Sequence, residues 1–383
     1  MEHPLMNRLD ALDTFKGVAV VHFIIVHVLY AGLNAQSRWF WGFYYSLFDF
    51  VGAPGFVFAA GVSLALAVHR KTQSLECTSP FDRRVQRDVW FSSIFLLLIA
   101  FAFNVVGRAG ADGFFSFWAW FVLQSVAICR LLAYYSLKWS KLTRVVLALG
   151  IIAIAPATFK AASGWAEASE VGRVAYYVLY HPSYENTPIP FLAYALVGTV
   201  VGETACGKGS GKAPRPDPEL RAILVKCGLI LLLSAVWVGG LQLTTYDLGY
   251  GMVGVLNTNS SWNVTAIPMM FVRGSYANVV YNLGMQCLFF GFLLSLQQRR
   301  QRSRPTFLKR YLTSLGSISL TVYLYHHAFV FLFSRTYDVL TVWTLGLPCF
   351  VAITGWAYAW TNKLKRRGTV EWSMNKLRRF LFH

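Results

Sequence analysis

Arg8 to Leu33 reads RLDALDTFKGVAVVHFIIVHVLYAGL, and the fold of the whole chain is legible from it. A charged lead-in runs into an apolar segment long enough to cross the ~30 Å hydrocarbon core of a bilayer as a helix. That segment carries two histidines, which a bare anchor does not need. An α-helix turns about 100° and rises about 1.5 Å per residue, so Lys16 and His27 return to nearly the same face, roughly 16 Å apart along the axis. Asp13 precedes Lys16 by one helical turn on that stripe and is placed to pair with the ammonium. Ionisable groups inside a membrane are costly and tend to face a cavity or a partner, which makes His27 a candidate functional group. His22 points well away from His27 and is expected to pack or to hydrogen-bond to a neighbouring helix.

The rest of the composition agrees with a membrane chain. Of 383 residues, 56% are hydrophobic, 16% aromatic and 14% charged, against about a quarter charged in soluble domains. An integral membrane protein is therefore expected. The formal charge of +18 is carried in short clusters between apolar runs and not on a soluble basic face, so no nucleic-acid partner is expected. Acidic as well as basic residues precede the first apolar helix and no small-residue cleavage site follows it, so the segment is not expected to be a cleaved signal peptide. The six cysteines show neither zinc-site nor disulfide spacing. No metal site is expected.

Taking about 20 apolar residues per span, the fold class predicted is all-α, a polytopic membrane bundle of about ten transmembrane helices. They run approximately from Gly17 to Leu33, Phe48 to Val68, Trp90 to Val106, Phe115 to Ala133, Val145 to Thr158, Pro190 to Thr204, Ile223 to Leu243, Val279 to Leu296, Leu315 to Phe333 and Val339 to Trp360. With this count, alternate connections hold only Arg38, Arg108, Lys160, Arg173, Arg273 and Arg335 of the 35 basic residues. Lys and Arg concentrate in cytoplasmic loops, so both termini are expected in the cytoplasm. The chain reads as one transmembrane domain, 1–383, with a flexible Gly- and Pro-rich cytoplasmic linker at 207–219 and a basic cytoplasmic tail at 361–383. That tail is suited to lying on the anionic inner leaflet of the lipid bilayer, and no catalytic role is expected for it.

A second ionisable cluster lies in the ninth span, SLTVYLYHHAFVFL, where Tyr323 and His327 share a face and His326 lies one position round. Its depth matches that of His27. At the inner surface Asp13 and Lys16, with Arg83 and Arg84 of the next inner loop, are suited to a phosphorylated ligand, although topology alone accounts for basic residues there. Two outward connections, Lys160 to Pro188 and Thr244 to Ser275, are rich in Tyr, Trp, Asn and Gly. Arg273, Trp262 and His181 on them are the candidate acceptor-binding residues, and interfacial placement explains the aromatics equally well. Gly52, Gly55 and Gly61 with Pro54 permit close helix packing or a local helix break.

Four of these regions together carry a family resemblance. LDALDTFKGVAVVHFIIVHV resembles the first-helix signature of the transmembrane acyltransferase superfamily, which includes acyltransferase-3 proteins, periplasmic glucan succinyltransferases and the heparan-alpha-glucosaminide N-acetyltransferases. That signature is a Leu-Asp lead-in, then Arg-Gly, then in the acyltransferase-3 branch a histidine with ten residues intervening. Lys16-Gly17 stands at the Arg-Gly position and His27 at the histidine. FVGAPGFVFAAGVSLAL is similar to the second helix of these families, TPIPFLAYALVGTVVG to the proline-led helix of the heparan branch, and SLGSISLTVYLYHHAF to the late Ser-Tyr-His helix. The resemblance implies about ten helices and an acyl group taken from cytosolic acyl-CoA, as acetyl-CoA or succinyl-CoA, to an extracytoplasmic glycan or glycolipid. Acyl-CoA is a co-substrate in this scheme and no tightly bound cofactor is implied.

Within that scheme His27 is the base or acyl-relay group, with His326, His327 and Tyr323 beside it, and Lys16 faces CoA. Two departures stand out. Lysine lacks the planar fork of arginine, and Asn34 to Leu47 contains no histidine where the heparan branch carries its catalytic one. Direct general-base transfer is preferred over an acyl-enzyme. A transporter with an intramembrane histidine site is the rival reading. The expected location is a bacterial inner membrane, and a homodimer is open.

Overall fold

The computed structural model describes residues 9–74, 79–108, 118–180, 186–206, 218–244, 266–273, 275–299, 306–330, 333 and 336–382. Its helices are α1 (Asp10–Gly32), α2 (Arg38–Phe48), α3 (Ala53–Ser74), α4 (Arg83–Arg108), α5 (Val122–Ser136), α6 (Lys141–Ala168), α7 (Glu170–Leu179), α8 (Pro188–Ala205) and α9 (Pro218–Ala235). They continue with α10 (Tyr276–Arg299), α11 (Phe307–Ser317), α12 (Ser319–Val330), α13 (Val339–Lys363) and α14 (Val370–Phe382). One two-residue ladder, Leu243–Thr244 against Ile267–Pro268, is the sole sheet among the described residues. The protein is an all-α polytopic bundle, and eight described helical segments are long and apolar enough to cross a membrane.

The chain forms two compact units. In the first, 53–220, α3 lies along α8, and small residues make this possible: a methyl added at Gly61 would overlap the Ala195 carbonyl. Arg144, near the start of α6, is 1% exposed. Its guanidinium donates to Thr199 Oγ1 at 2.9 Å and pairs with Glu203, both on α8. Burial of a cation is sustained by such paired, hydrogen-bonded surroundings. Of the connection from Lys160 to Pro188, the described stretch up to Tyr180 is largely helical. α6 runs on to Ala168, then Ser169 accepts the Gly172 amide at 3.0 Å and starts α7. Ser, a preferred N-cap residue, supplies the restart.

The second unit comprises 9–52 and 221–383. Asn34 to Leu47 is a short 3₁₀ turn followed by α2, and the chain then breaks at Asp49–Gly52 before α3. The ninth span, expected as one helix, is two: α11 ends at Ser317, Ile318 leaves helical geometry (φ −127°, ψ 33°) and α12 begins at Ser319. The break falls in Gly-Ser-Ile-Ser, where glycine, two serines that compete for backbone hydrogen bonds and a β-branched residue all weaken a helix.

α1 and α11 cross with almost no side chain between them. A Cβ added at Gly17 would overlap the Leu312 carbonyl, and one added at Gly316 would overlap the Asp13 carbonyl. Small residues at helix contacts give the close approach that drives packing within membranes. Lys309 of α11 also pairs with Asp10 of α1 at 2.6 Å. Gly17→Ala and Gly316→Ala are each expected to lower stability by at least about 1–3 kcal/mol through overpacking. Thermal unfolding of the detergent-solubilised protein measures this, and parental midpoints for both would contradict it.

Candidate active site

α1 and α12 run side by side and parallel: Phe23 meets Tyr323 edge to face at 5.3 Å, and one turn further His27 meets His326 at 4.9 Å and His327 at 4.8 Å between ring centroids. His326 and His327 are themselves 4.0 Å apart. The fold thus gathers His27, His326, His327 and Tyr323, which the sequence had singled out on separate helices. His27 and His327 are half-buried, while His326 is 1% exposed.

Backbone carbonyls set the tautomers of two of these rings. His27 Nδ1 lies 2.8 Å from the Phe23 carbonyl and His327 Nδ1 lies 3.1 Å from the Tyr323 carbonyl. A carbonyl can only accept, so each Nδ1 carries the hydrogen, and in the neutral ring Nε2 keeps the lone pair. Neither nitrogen of the buried His326 has a hydrogen-bond partner among the described residues. One ring nitrogen from each of the three imidazoles lies within 4.8 Å of the others. Such a group can take up a proton or, chemically, a cation.

A second buried polar group lies in the same unit, and sequence reading missed it. Asp49, 2% exposed, sits 3.6 Å from Arg273 Nη2 and accepts from Asn282 Nδ2 at 3.5 Å. Arg273 also donates to the Tyr45 hydroxyl and lies over that ring. Asn282 bonds Asn278 Oδ1 at 3.1 Å, and Gln286 donates to the Phe50 carbonyl at 3.0 Å. His22 stacks on Tyr44 at 5.5 Å, and neither of its nitrogens has a hydrogen-bond partner among the described residues. It packs as expected, but by ring stacking. Two signals were available: a lone acid inside the apolar run FDFVG, and amides at four-residue spacing on α10, Asn278, Asn282 and Gln286.

The other expected site residues lie elsewhere. Asp13 and Lys16 are half-buried on α1, whereas Arg83 and Arg84 are exposed at the start of α4 in the first unit. Arg273 is committed to Asp49 and Tyr45. Trp262 and His181 lie outside the described residues.

Removing one partner of a buried ion pair leaves the other charge uncompensated, at a cost of about 3–5 kcal/mol. Arg273→Met is expected to destabilise the protein on that scale, and the double variant with Asp49→Asn to recover part of the loss. A double-mutant cycle on thermal unfolding measures both, and simple additivity would exclude the coupling.

A family model described as heparan-alpha-glucosaminide N-acetyltransferase, catalytic, matches residues 8–230, more than half of the chain. The match includes His27 and ends before α10, so His326 and His327 lie outside it. No curated protein matches the chain.

Proposed function

This chain belongs to the heparan-alpha-glucosaminide N-acetyltransferase catalytic family, and on that premise we propose that it moves an acetyl or succinyl group from cytosolic acyl-CoA to a hydroxyl or amine of an extracytoplasmic carbohydrate. The family makes it an acetyltransferase-type membrane enzyme; the donor, the acceptor and a bacterial inner membrane as its location are parts of the proposal. The imidazole cluster is the observation that carries it. Acyl transfer needs a base within hydrogen-bond reach of the acceptor, with affinity for a proton near working pH, and histidine supplies that.

In the proposed reaction His27 Nε2 takes the proton from the acceptor hydroxyl or amine as that atom attacks the thioester carbonyl. The tetrahedral intermediate collapses with cleavage of the carbon–sulfur bond, and the CoA sulfur leaves with the proton returned from the imidazolium. His326 and His327 line the same polar spot and support the charged imidazole as it forms. Tyr323 packs against Phe23 and beneath the cluster. Lys16, a turn and a half into α1, meets the CoA side as a point charge rather than a bidentate fork.

The test is to offer radiolabelled acetyl-CoA or succinyl-CoA, with candidate glycans and glycolipids, to the purified protein in lipid nanodiscs. The parent is expected to transfer label, and His27→Ala to lose about 10²–10⁴-fold in kcat. Full transfer by His27→Ala sinks the assignment. Saturable uptake of solute without CoA turnover points to a transporter instead.

A further inference from the structure

We propose that Glu371 is a positioning residue for the imidazole cluster: from the tail helix α14 its carboxylate caps the amino end of α12, fixing how His326 and His327 meet His27. The inference rests on the acyl-transfer reading above and assigns a task to a tail that topology alone explained as a solvated basic segment.

The need arises from the break at Ile318. The first amides of any helix have no acceptor within it, and α12 starts inside the bundle and not at the end of a continuous span. Glu371 supplies the missing acceptors. One carboxylate oxygen accepts the Leu320 amide at 2.8 Å and the Thr321 amide at 3.3 Å, and the other accepts the Thr321 hydroxyl. The Thr321 hydroxyl oxygen in turn accepts the Val370 amide at 2.9 Å. Each helix therefore satisfies an amide at the start of the other. A negative charge at the amino end of a helix also matches the direction of its dipole.

The approach to this clasp is itself held in an uncommon geometry. Between α13 and α14, Lys365 (φ 47°) and Arg366 (φ 65°) adopt left-handed conformations, as does Gly368 (φ 80°). Non-glycine residues stay in that region only where surrounding contacts hold them. Those contacts are present: Trp360 Nε1 donates to the Arg367 carbonyl at 2.6 Å, and buried Thr369 donates to the Arg366 carbonyl at 2.9 Å while accepting the Trp372 amide at 3.2 Å. Burial pushes the Glu371 carboxyl above its usual range, and the hydrogen bond from the Thr321 hydroxyl opposes that shift. His326 and His327 follow Thr321 by five and six residues, about 8–9 Å along α12. A displacement of the capped end is carried to the rings by a helix too short to absorb it.

The full-length chain in nanodiscs tests this with Glu371→Ala, Glu371→Gln, Thr321→Val and Thr321→Ser. Misplacement of about 1 Å can cost about 100-fold in rate, so Glu371→Ala and Thr321→Val are expected to lower kcat by about 10- to 100-fold. KM for acetyl-CoA should stay within about twofold, since the donor's contacts are untouched. Glu371→Gln, which keeps an acceptor oxygen, falls between, and Thr321→Ser, which keeps the hydroxyl, stays near the parent. Hydrogen exchange supplies a readout that needs no activity: amides 320 and 321 lose protection in Glu371→Ala while α1 keeps its own. Parental kcat in Glu371→Ala, or unchanged exchange at those amides, overturns the proposal. So does a fall in apparent kcat fully accounted for by the loss of folded protein, with a collapsed unfolding midpoint, which marks a merely structural role. If the parent transfers no acyl group, the acyl-transfer reading fails while exchange still decides whether the clasp exists.

Discussion

Two helix backbones meet at Gly17 and Gly316 with no side chain between them, and the arrangement of the candidate site depends on that meeting. In hydrocarbon there is no water to be expelled between helices, so close van der Waals contact carries much of the association. The contact seats α11 on the first half of α1. After the break at Ile318, α12 continues along the second half of α1, and Tyr323 reaches Phe23 one turn before His326 and His327 reach His27. A bulkier residue at either glycine would move the axis on which all three imidazoles are aligned.

The two buried polar groups of the second unit solve different problems. Asp49 and Arg273 are opposite charges removed from water together, with the Asn282 amide and the Tyr45 phenol hydrogen-bonded to them, the kind of surroundings that help a buried pair to be tolerated. The imidazoles of 27, 326 and 327 gather mainly against one another and against aromatic rings. Two of these rings hydrogen-bond a backbone carbonyl through Nδ1, and a neutral ring such as His326 can be buried at the cost of an unmet hydrogen bond. Their contrasting make-up separates a group that holds the fold from one suited to chemistry.

Sequence reading reached the class of the fold and the main cluster because both rest on local signals. Apolar length marks a span, and histidines within a span stand out whatever surrounds them. The burial of Arg144 was not legible because a basic residue near a helix end looks like a topology charge until its partner, fifty-nine residues on, is seen beside it. Asp49 was passed over as part of an apolar run, and its pairing with Arg273 is a tertiary fact with no trace in spacing. The break at Ile318 was legible in Gly-Ser-Ile-Ser, yet the apolar character of the flanks outweighed it. Glu371 gave no local sign at all, since one acid in a basic tail reads as solvated charge.

The hydrogen that His27 and His327 each hold on Nδ1 against a backbone carbonyl limits how these rings can exchange a proton. An imidazole conducts protons along a chain by gaining one at one nitrogen and losing one from the other. With Nδ1 tethered, these two rings accept and release a proton through the same atom, Nε2. Each of these two rings is thereby built to hold a proton at Nε2 and not to pass it from one ring nitrogen to the other.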